Sequence, residues 1–485
     1  MARNTKNQEL QSEKNDEIFA PVEKAEGVAE EAVVEEPPVV EKTEEEKLAE
    51  FLETEDYENA LTILFKQAEE DDPKAFVTIG KCYLNGWGIE SDVDEAISYF
   101  EKAAEEGYAE AEYLLGEFYG KGHGDVAPDL EKSMDWYVRA SERGYAEAQY
   151  ELANIYLKGI GVLRDSEKAA ALFAKAADKG LARAQFALGL CFYDGEGVSR
   201  SVRRAAIWFK AAADNGNQDA RFRYGNCFYY GEGAPRDIRR AVVQWTKAAD
   251  GGSVAAQLRL AQFFDEESII KEPAKAAKYY LMAAESGNVK AEARVAEMYF
   301  NGYGLAQDAD EAIKWLKRAA KNGHVGSQVN LGSCYINGQG IEQDEKKAVE
   351  WFKKAARHGD ADAQYNLGFC YEHGLGVEKK DYVKAVEWYK KSAEKGDNDA
   401  KYTLADCYFD GKGVDQDKEK AFALYREVAD SGDSDAEWTV AECYFKGEGV
   451  EQNYKQALKW YRSAARHGDT DAPAQIEVLR KLGYR

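Results

Sequence analysis

Residues 363–399 read AQYNLGFCYEHGLGVEKKDYVKAVEWYKKSAEKGDND, and the same pattern recurs every 35 to 37 residues from residue 75 onward. A fixed period of this length is typical of repeat proteins, in which one short supersecondary unit is copied in series. Position 1 of each copy is its first aligned residue. Eleven copies cover residues 75–471, and they begin at Ala75, Ala111, Ala148, Ala184, Ala220, Ala256, Ala291, Ser327, Ala363, Ala400 and Ala436.

Each copy predicts two helices joined by a tight turn. The first, helix A, has Ala at position 1, usually Leu or Val at position 5, and a sulfur-containing or apolar residue at position 8, which gives one apolar face. A Gly-x-Gly loop such as residues 338–340 lets the chain reverse without a Cβ penalty. The second, helix B, carries an aromatic pair such as Trp351-Phe352 and ends at a glycine such as Gly359. One helix pair cannot bury its apolar face alone, so the copies must stack.

The shared pattern is A-x-x-x-L-G-x-x-Y-x-x-G-x-G-V, followed by K-A-x-x-W-x-x-K-A-A-x-x-G. It resembles the Sel1-like repeat family, which is related to tetratricopeptide repeats. The resemblance implies an all-α fold, a right-handed α-solenoid (superhelix) of eleven two-helix Sel1-like repeats with terminal capping helices. It also implies the family's usual role, which is to scaffold or adapt protein complexes rather than to catalyse a reaction.

Residues 1–55 form an acidic tail with 6 Lys/Arg and 17 Asp/Glu. Such a segment has too little apolar surface to offset the entropy cost of ordering, so we expect it to be disordered. It is either a solvated spacer or a carrier of short docking motifs at Val33-Val34 and Val39-Val40.

The two ends of the repeat array are predicted to be capped by single helices, within residues 56–74 and 472–485. A terminal copy of a solenoid has no neighbour on one side, so a helix with a polar outer face must cover its apolar side.

Composition narrows the class of function. The formal net charge of −25 argues against a nucleic-acid binder, which needs clustered cations. Residues 1–20 lack the apolar run of a secretory signal, and no stretch approaches the roughly 20 apolar residues of a membrane span. We therefore expect a soluble, cytoplasmic protein, a monomer without cofactor or metal, whose partners are proteins or peptides.

The cysteines indicate packing rather than metal binding. All occupy position 8, where other copies have Phe118, Ile155, Phe263 or Met298, and a column that exchanges Cys with large apolar residues is a core column. Cysteine-rich members of the resembled family carry two Cys per copy, whereas this chain has at most one, so their disulfides are absent here, which fits a reducing compartment. The seven are Cys82, Cys191, Cys227, Cys334, Cys370, Cys407 and Cys443.

A hydrolase is the alternative function, because the cysteine-rich members look like weak β-lactamases. The S-x-x-K pattern of such enzymes occurs at Ser268–Lys271 and Ser392–Lys395, without an accompanying K-T-G. Ser392 occupies a small packing column of helix B, so we expect no enzyme.

Positions 3, 7 and 10 of helix A lie nearly opposite its core face, yet they are often apolar. Either these side chains pack between adjacent A helices, or they line a groove for an extended peptide or helix; both hold if position 3 is buried and positions 7, 10 and 11 are exposed. The candidate groove residues are Asn154, Leu157, Leu190, Tyr193, Asn226, Tyr229, Tyr230, Phe300, Phe369, His373, Phe409 and Phe445.

The residues that lead into helix B are acidic in most copies, as in residues 308–311, but copies 4 and 5 carry arginine there. Arginine binds carboxylate or phosphate bidentately. One interpretation is an anion-binding patch, whose ligand is an acidic protein segment or the chain's own tail. The other is that these arginines are sequence drift at solvated positions without a ligand. The candidates are Arg200, Arg203, Arg204, Arg221, Arg223, Arg236, Arg239 and Arg240.

Copy 6 replaces the Gly-x-Gly loop with residues 265–271, DEESIIK. The loss of both glycines predicts an altered turn, in which Ile269 and Ile270 are exposed. The changed loop is interpreted as a hinge, as a docking loop, or as sequence drift without a function.

Overall fold

The structure is a computed structural model that describes residues 42–123, 127–267 and 271–485. These ranges contain 25 α-helices, one π-helical turn and no β-strand, which confirms the predicted all-α class. The helices are Glu44–Glu53 (α1), Tyr57–Ala68 (α2), Pro73–Asn85 (α3), Val93–Glu105 (α4), Ala109–Lys121 (α5), Leu130–Glu142 (α6), Ala146–Lys158 (α7), Ser166–Asp178 (α8), Ala182–Asp194 (α9), Val202–Asp214 (α10), Gln218–Tyr230 (α11), Ile238–Asp250 (α12), Val254–Gln262 (α13), Pro273–Glu285 (α14), Val289–Asn301 (α15), Ala309–Lys321 (α16), Val325–Asn337 (α17), Glu345–Arg357 (α18), Ala361–His373 (α19), Tyr382–Ala393 (α20), Asn398–Asp410 (α21), Lys418–Ala429 (α22), Ser434–Lys446 (α23), Tyr454–Arg466 (α24) and Ala472–Lys481 (α25).

The chain forms two compact units, Met1–Lys102 and Ala103–Arg485. In the first unit, α2 packs against α1 and against α3. In the second unit, each two consecutive helices from α5 to α25 pack against each other. The odd-numbered helices from α3 to α23 are the predicted A helices, and the even-numbered helices from α4 to α24 are the B helices. The paired-helix repeat predicted from the sequence is therefore present.

Helices A and B of one copy touch at position 6 of helix A, which is always Gly or Ala. In copy 8 this residue is Gly332, and a Cβ atom there would lie 2.6 Å from Cε1 of Phe352, a helix-B ring that is 1% exposed. Such an approach leaves no room for a side chain, so the ring packs directly on the backbone of helix A. The same contact pairs Gly80 with Phe100, Gly116 with Tyr137, Gly189 with Phe209, Gly225 with Trp245 and Gly368 with Tyr389.

A second close approach joins consecutive copies through the Gly-x-Gly loop. Gly374 ends α19 with φ 77°, which suits glycine at a helix terminus. Gly376 has φ 63° and lies against the backbone carbonyl of Glu345, the first residue of helix B in the preceding copy. A Cβ at Gly376 would overlap that carbonyl. The first glycine therefore turns the chain, and the second one sets the spacing to the neighbouring copy.

Helix α1 lies inside the segment that was expected to be disordered, so that expectation is wrong for residues 44–53. Thr43 and Glu46 form a reciprocal capping box at its N-terminus. Leu48 and Phe51 pack against the apolar cluster of α2 and α3, which supplies the burial that composition alone did not reveal. Residues 1–41, with their two Val-Val pairs, lie outside the described residues. The expected capping segments 56–74 and 472–485 contain α2 and α25.

Copy 6 has the altered turn that its sequence predicts. Residues Phe263–Glu267 form a π-helical turn, and it places the Asp265 carboxylate inside, where it is 4% exposed. Arg294 Nη2 and Tyr303 Oη, both from copy 7, donate to this carboxylate at 2.9 and 2.8 Å. The π-turn therefore serves to connect copies 6 and 7 through a paired buried charge. The predicted exposure of Ile269 and Ile270 lies outside the described residues.

The seven cysteines are buried free thiols, which agrees with the predicted packing column. Burial disfavours the charged thiolate, and it raises the pKa of Cys191 to about 11 and that of Cys370 to about 12. The thiols are therefore neutral packing groups across the physiological pH range.

Replacing Gly332 by Ala should lower the free energy of unfolding by about 1–3 kcal/mol, because the new methyl group must displace the Phe352 ring or the helix. Gly326 is a matched control in the same helix: a Cβ there meets only His324 Cε1, at 3.5 Å. Gly326→Ala should raise stability by about 0.5–1 kcal/mol through its helix propensity. Urea unfolding followed by circular dichroism measures both, and a stabilised Gly332→Ala protein would contradict the ring-on-backbone contact.

Replacing Arg294 by Met should lower the local stability of α13–α15 by about 3 kcal/mol, because it leaves the buried Asp265 carboxylate without its cation. Native-state hydrogen exchange reads this locally, which suits a chain in which each copy contacts only its neighbours. Lys314→Met, which breaks the exposed pair with Glu311, is the control and should leave amide protection unchanged. Equal protection in both variants would show that the Asp265 pair does not fasten the two copies.

A thiol reagent at pH 8 should leave the cysteines of the native protein unmodified and modify all seven in guanidinium. With a pKa of about 11, as for Cys191, only roughly 0.1% of the thiol is ionised at pH 8, and the reagent attacks the thiolate. Absorbance of the released thiol reporter gives the count. Rapid modification of one or more cysteines in the folded chain would mean that the column is not a sealed core.

Candidate partner-binding surfaces

Helix A presents one exposed stripe in the described copies. In α11 this stripe contains Arg223 at position 4, Asn226 at position 7 and Tyr230 at position 11, with Tyr230 61% exposed. A spacing of three and four residues puts these positions on one side of the helix. We call this stripe of positions 4, 7 and 11, with the half-buried position 10 at its edge, the helix-A surface.

The predicted groove residues all retain exposed area. Tyr230, Phe369 and His373 are exposed. The other nine are half-buried, namely Asn154, Leu157, Leu190, Tyr193, Asn226, Tyr229, Phe300, Phe409 and Phe445. Position 3 differs, because its rings pack against the helix-B ring of their own copy, with centroids 5.6 Å apart for Tyr150 and Phe173 and 5.9 Å for Phe186 and Phe209. The position-3 aromatics thus belong to the core rather than to the helix-A surface.

The sequence interpretation missed position 4. This position holds arginine in three consecutive copies, as Arg223, Arg259 and Arg294. The helical wheel had been centred on positions 3, 7 and 10, whereas the exposed side is centred on positions 4, 7 and 11. The signal that could have found it is the run of three arginines at one register.

Copies 5 and 6 assemble an aromatic cluster on the helix-A surface. Tyr229 stands edge-on to Tyr230, with ring centroids 4.9 Å apart, and lies 5.2 Å from the Trp245 ring. The Arg259 guanidinium lies 4.5 Å from the centre of the Tyr229 ring and 4.8 Å from that of Trp245. Trp245 Nε1 donates to Asn226 Oδ1 at 2.9 Å. We call these five residues the Tyr-Arg cluster; their contacts hold the rings in place before any partner arrives.

The helix-A surface is acidic in copies 9 to 11. Three helix-B tyrosines reach it from the core and donate to carboxylates there: Tyr389 to Glu372, Tyr425 to Asp406 and Tyr461 to Glu442. The Tyr425–Asp406 distance is 2.5 Å. Desolvation raises the pKa of Asp406, and the hydrogen bond from Tyr425 opposes that shift. The helix-A surface therefore carries three arginines, together with Glu266 and Glu297, in copies 5 to 7, whereas carboxylates predominate in copies 9 to 11.

The eight arginines of the predicted anion patch do not form one patch. Arg200 Nε donates to the Tyr193 carbonyl at 2.9 Å, and Arg236 Nε donates to the Tyr229 carbonyl at 3.2 Å. In other copies a glutamine makes the same bond, as Gln307 does with the Phe300 carbonyl. Arg200 and Arg236 thus satisfy carbonyls at the C-terminal end of helix A, which is a structural role.

Arg204 and Arg240 cover aromatic rings of helix A. Their guanidinium carbons lie 5.4 Å from the centre of the Phe192 ring and 5.8 Å from that of Phe228. Lys347 occupies the same helix-B position in copy 8 and covers Tyr335. A cation at this place is therefore common to several copies, and the interpretation that copies 4 and 5 reverse the charge pattern here is wrong.

The remaining four arginines separate into two groups. Arg221 donates to the Ala213 carbonyl inside the junction between α10 and α11, and Arg223 belongs to the helix-A surface. Arg203 and Arg239 are exposed and make no hydrogen bond or ion pair with the described part of the chain. Arg223 also has no hydrogen bond or ion pair within the described part of the chain, so Arg203, Arg223 and Arg239 are the free cations of the predicted patch.

The hydrolase alternative gains no support from Ser392. This serine is 0% exposed, and its Oγ lies 2.7 Å from Asp397 Oδ2 and 2.9 Å from the Ala361 carbonyl. A hydroxyl without exposed surface cannot attack a substrate from solution. Ser268 lies outside the described residues.

Comparisons with known proteins agree with the repeat architecture. A protective antigen present in uropathogenic Escherichia coli strains, whose crystal structure displays an SLR fold, is 31% identical; the match covers 87% of this chain and 90% of that one, with a TM-score of 0.69. A Sel1 repeat protein from Oxalobacter formigenes is 29% identical over 50% of this chain and 98% of that one, with a TM-score of 0.46. The cysteine rich protein B of Helicobacter pylori is 27% identical over 27% of this chain and 94% of that one, with a TM-score of 0.23. No match was found among curated proteins.

Within the described ranges, each helix is too short or too polar to cross a lipid bilayer. The family model described as Sel1 repeat matches eleven consecutive segments, the first at residues 79–108 and the last at residues 434–469. These segments coincide with the helix A and helix B pairs of the structure. The chain is therefore a member of the Sel1 repeat family.

Proposed function

We propose that this chain is an adaptor that holds protein partners on its helix-A surface. The observation that carries the proposal is the Tyr-Arg cluster, in which Tyr230 stays 61% exposed while its neighbours are fixed by ring contacts and a hydrogen bond. Aromatic and arginine side chains dominate binding hot spots. Rings that are already ordered also lose less entropy when a partner binds.

The change of charge along the helix-A surface supports a polar ligand segment. Copies 5 to 7 offer Arg223, Arg259 and Arg294, although Arg294 is largely engaged by Asp265 and Glu297. Copies 9 to 11 offer the carboxylates of Asp406 and Glu442 beside half-buried Phe409 and Phe445. A segment with an acidic end, apolar anchors and a basic end would match this order, and it would bind in one direction only.

The same proposal includes a cytoplasmic location. The seven thiols are unpaired and buried, and the chain places them in one column of helix A rather than in pairs. Proteins of oxidising compartments more often pair such cysteines as disulfides.

Replacing Tyr230 by Ser and Arg223 by Glu should lower partner capture at least tenfold, since a central aromatic anchor contributes about 2 kcal/mol or more. The measurement is quantitative mass spectrometry of proteins captured from native lysate by wild-type and variant chains. Both side chains are exposed, so circular dichroism should stay unchanged. Tyr382→Ser removes a tyrosine that is 38% exposed at the start of a B helix, and it should capture the same proteins as wild type. Equal capture by all three chains would refute the helix-A surface as the binding site.

A further inference from the structure

Two aliphatic side chains are exposed at the same position of consecutive B helices. Ile207 in α10 is 65% exposed, and Val243 in α12 is 50% exposed. Six of the nine other copies carry an exposed charged residue at this position, and the remaining three carry Ser98, Ala171 and Ala423. The charged residues are Asp135, Lys278, Lys314, Glu350, Glu387 and Lys459. A β-branched residue at a solvent-facing helix position gains nothing from packing and has a lower helix propensity than the lysine or glutamate used elsewhere.

The same two helices carry Arg203 and Arg239, two of the arginines that make no hydrogen bond or ion pair with the described part of the chain. Arg203 precedes Ile207 by four residues, and Arg239 precedes Val243 by four, so each pair shares one side of its helix. The loop glycine Gly233 of copy 5 lies against the Val202 carbonyl in α10, so the loop that leads into α12 contacts the first turn of α10. We call Arg203, Ile207, Arg239 and Val243 the Arg-aliphatic face.

The charges around this face leave its arginines available. Asp214, at the far end of α10, pairs with Lys210 at 2.8 Å. Asp237, which caps α12, accepts from the Arg240 backbone amide and lies 3.4 Å from Arg240 Nε. Neither α10 nor α12 has an acidic residue in its first turn, a feature that they share with α14, α20 and α24. Carboxylates supplied from outside would therefore meet the guanidinium groups of Arg203 and Arg239.

We propose that the Arg-aliphatic face binds an acidic segment of a partner protein, in which paired aliphatic residues are flanked by Glu or Asp. The carboxylates would bind Arg203 and Arg239, which accept bidentate pairing, and the aliphatic residues would cover Ile207 and Val243. The exposed aliphatic pair disfavours a phosphate backbone, which offers it no apolar contact. The net charge of −25 disfavours an anionic lipid surface, which would repel the rest of the chain.

The probe is the synthetic peptide GEEIVEEIVEEG carrying a fluorescent label, added to the full chain and followed by anisotropy. Arg203→Glu with Arg239→Glu should weaken binding at least tenfold at low salt. Ile207→Lys with Val243→Lys should also weaken it at least tenfold, although these changes add positive charge. An attraction that is only electrostatic would instead become stronger, so an equal or tighter affinity of the lysine variant overturns the proposal.

Matched controls lie at the same positions of α18. Lys346→Glu and Glu350→Lys make the corresponding charge changes in copy 8, which has no exposed aliphatic pair, and both should leave the affinity within twofold of wild type. Tyr230→Ser, on the helix-A surface, should also leave it unchanged, which separates this proposal from the proposed function. Equal weakening in the copy 8 controls would overturn the site.

Two further experiments test whether the face binds a different ligand. Vesicles with phosphatidylserine should not displace the probe. Displacement would show that the face binds an anionic membrane and would overturn a protein segment as its ligand. The chain contains the sequence EEAVVEE at residues 30–36, which has the proposed ligand chemistry. A full chain with Val33→Ser and Val34→Ser should bind the probe as wild type does. Tighter binding by that variant would make the chain's own segment the occupant and overturn an external partner.

Discussion

In six of the eleven copies a helix-B ring packs on the glycine at position 6 of helix A, and this contact sets how closely the two helices approach. Because Gly332 or its equivalent has no room for a larger side chain, the ring sits on the backbone itself, and the two helices approach closely. The contact lies within one copy, and the second loop glycine, such as Gly376, fixes the distance to the neighbouring copy. Stability is then a sum of similar local terms and nearest-neighbour terms. Surface positions can differ from copy to copy because this core does not depend on them.

The core nevertheless influences the helix-A surface at one point. The helix-B ring ends near position 7 or 10, so a ring with a polar tip needs a polar partner there. Trp245 donates to Asn226, and Tyr425 donates to Asp406, whereas the Phe209 ring of copy 4 faces Leu190 at position 7. The choice of Phe, Tyr or Trp in the core therefore helps to set the charge of the helix-A surface. In copies 9 to 11 the buried ring is tyrosine, and each of these tyrosines donates to a carboxylate of the acidic stretch.

The sequence predicted what depends on periodicity, and it failed where a side chain has two uses. The 35- to 37-residue period predicted the paired helices and the buried cysteine column, because both follow from spacing alone. Arg200 was interpreted as an anion ligand, although Gln307 at the same loop position shows that this column satisfies helix carbonyls. Position 4 was missed because the exposed stripe is rotated by one residue from the assumed wheel. Helix α1 was missed because its apolar burial depends on α2, which composition does not express.

Copies 4 and 5 depart from the other copies on their surfaces but not in their cores. Ala205 and Ala241 remain fully buried, as do the Phe209 and Trp245 rings. By contrast, the first turns of α10 and α12 carry Arg203 and Arg239, which the helix dipole disfavours, and they contain no acidic residue. The helices α14, α20 and α24 also lack an acidic residue there, so the arginines together with the exposed aliphatic residues distinguish copies 4 and 5. Exposed Ile207 and Val243 add no packing to the folded chain. Neither change stabilises the fold, and both occur at equivalent places in adjacent copies. A bound partner, which satisfies the arginines and covers the aliphatic side chains at once, accounts for both departures together.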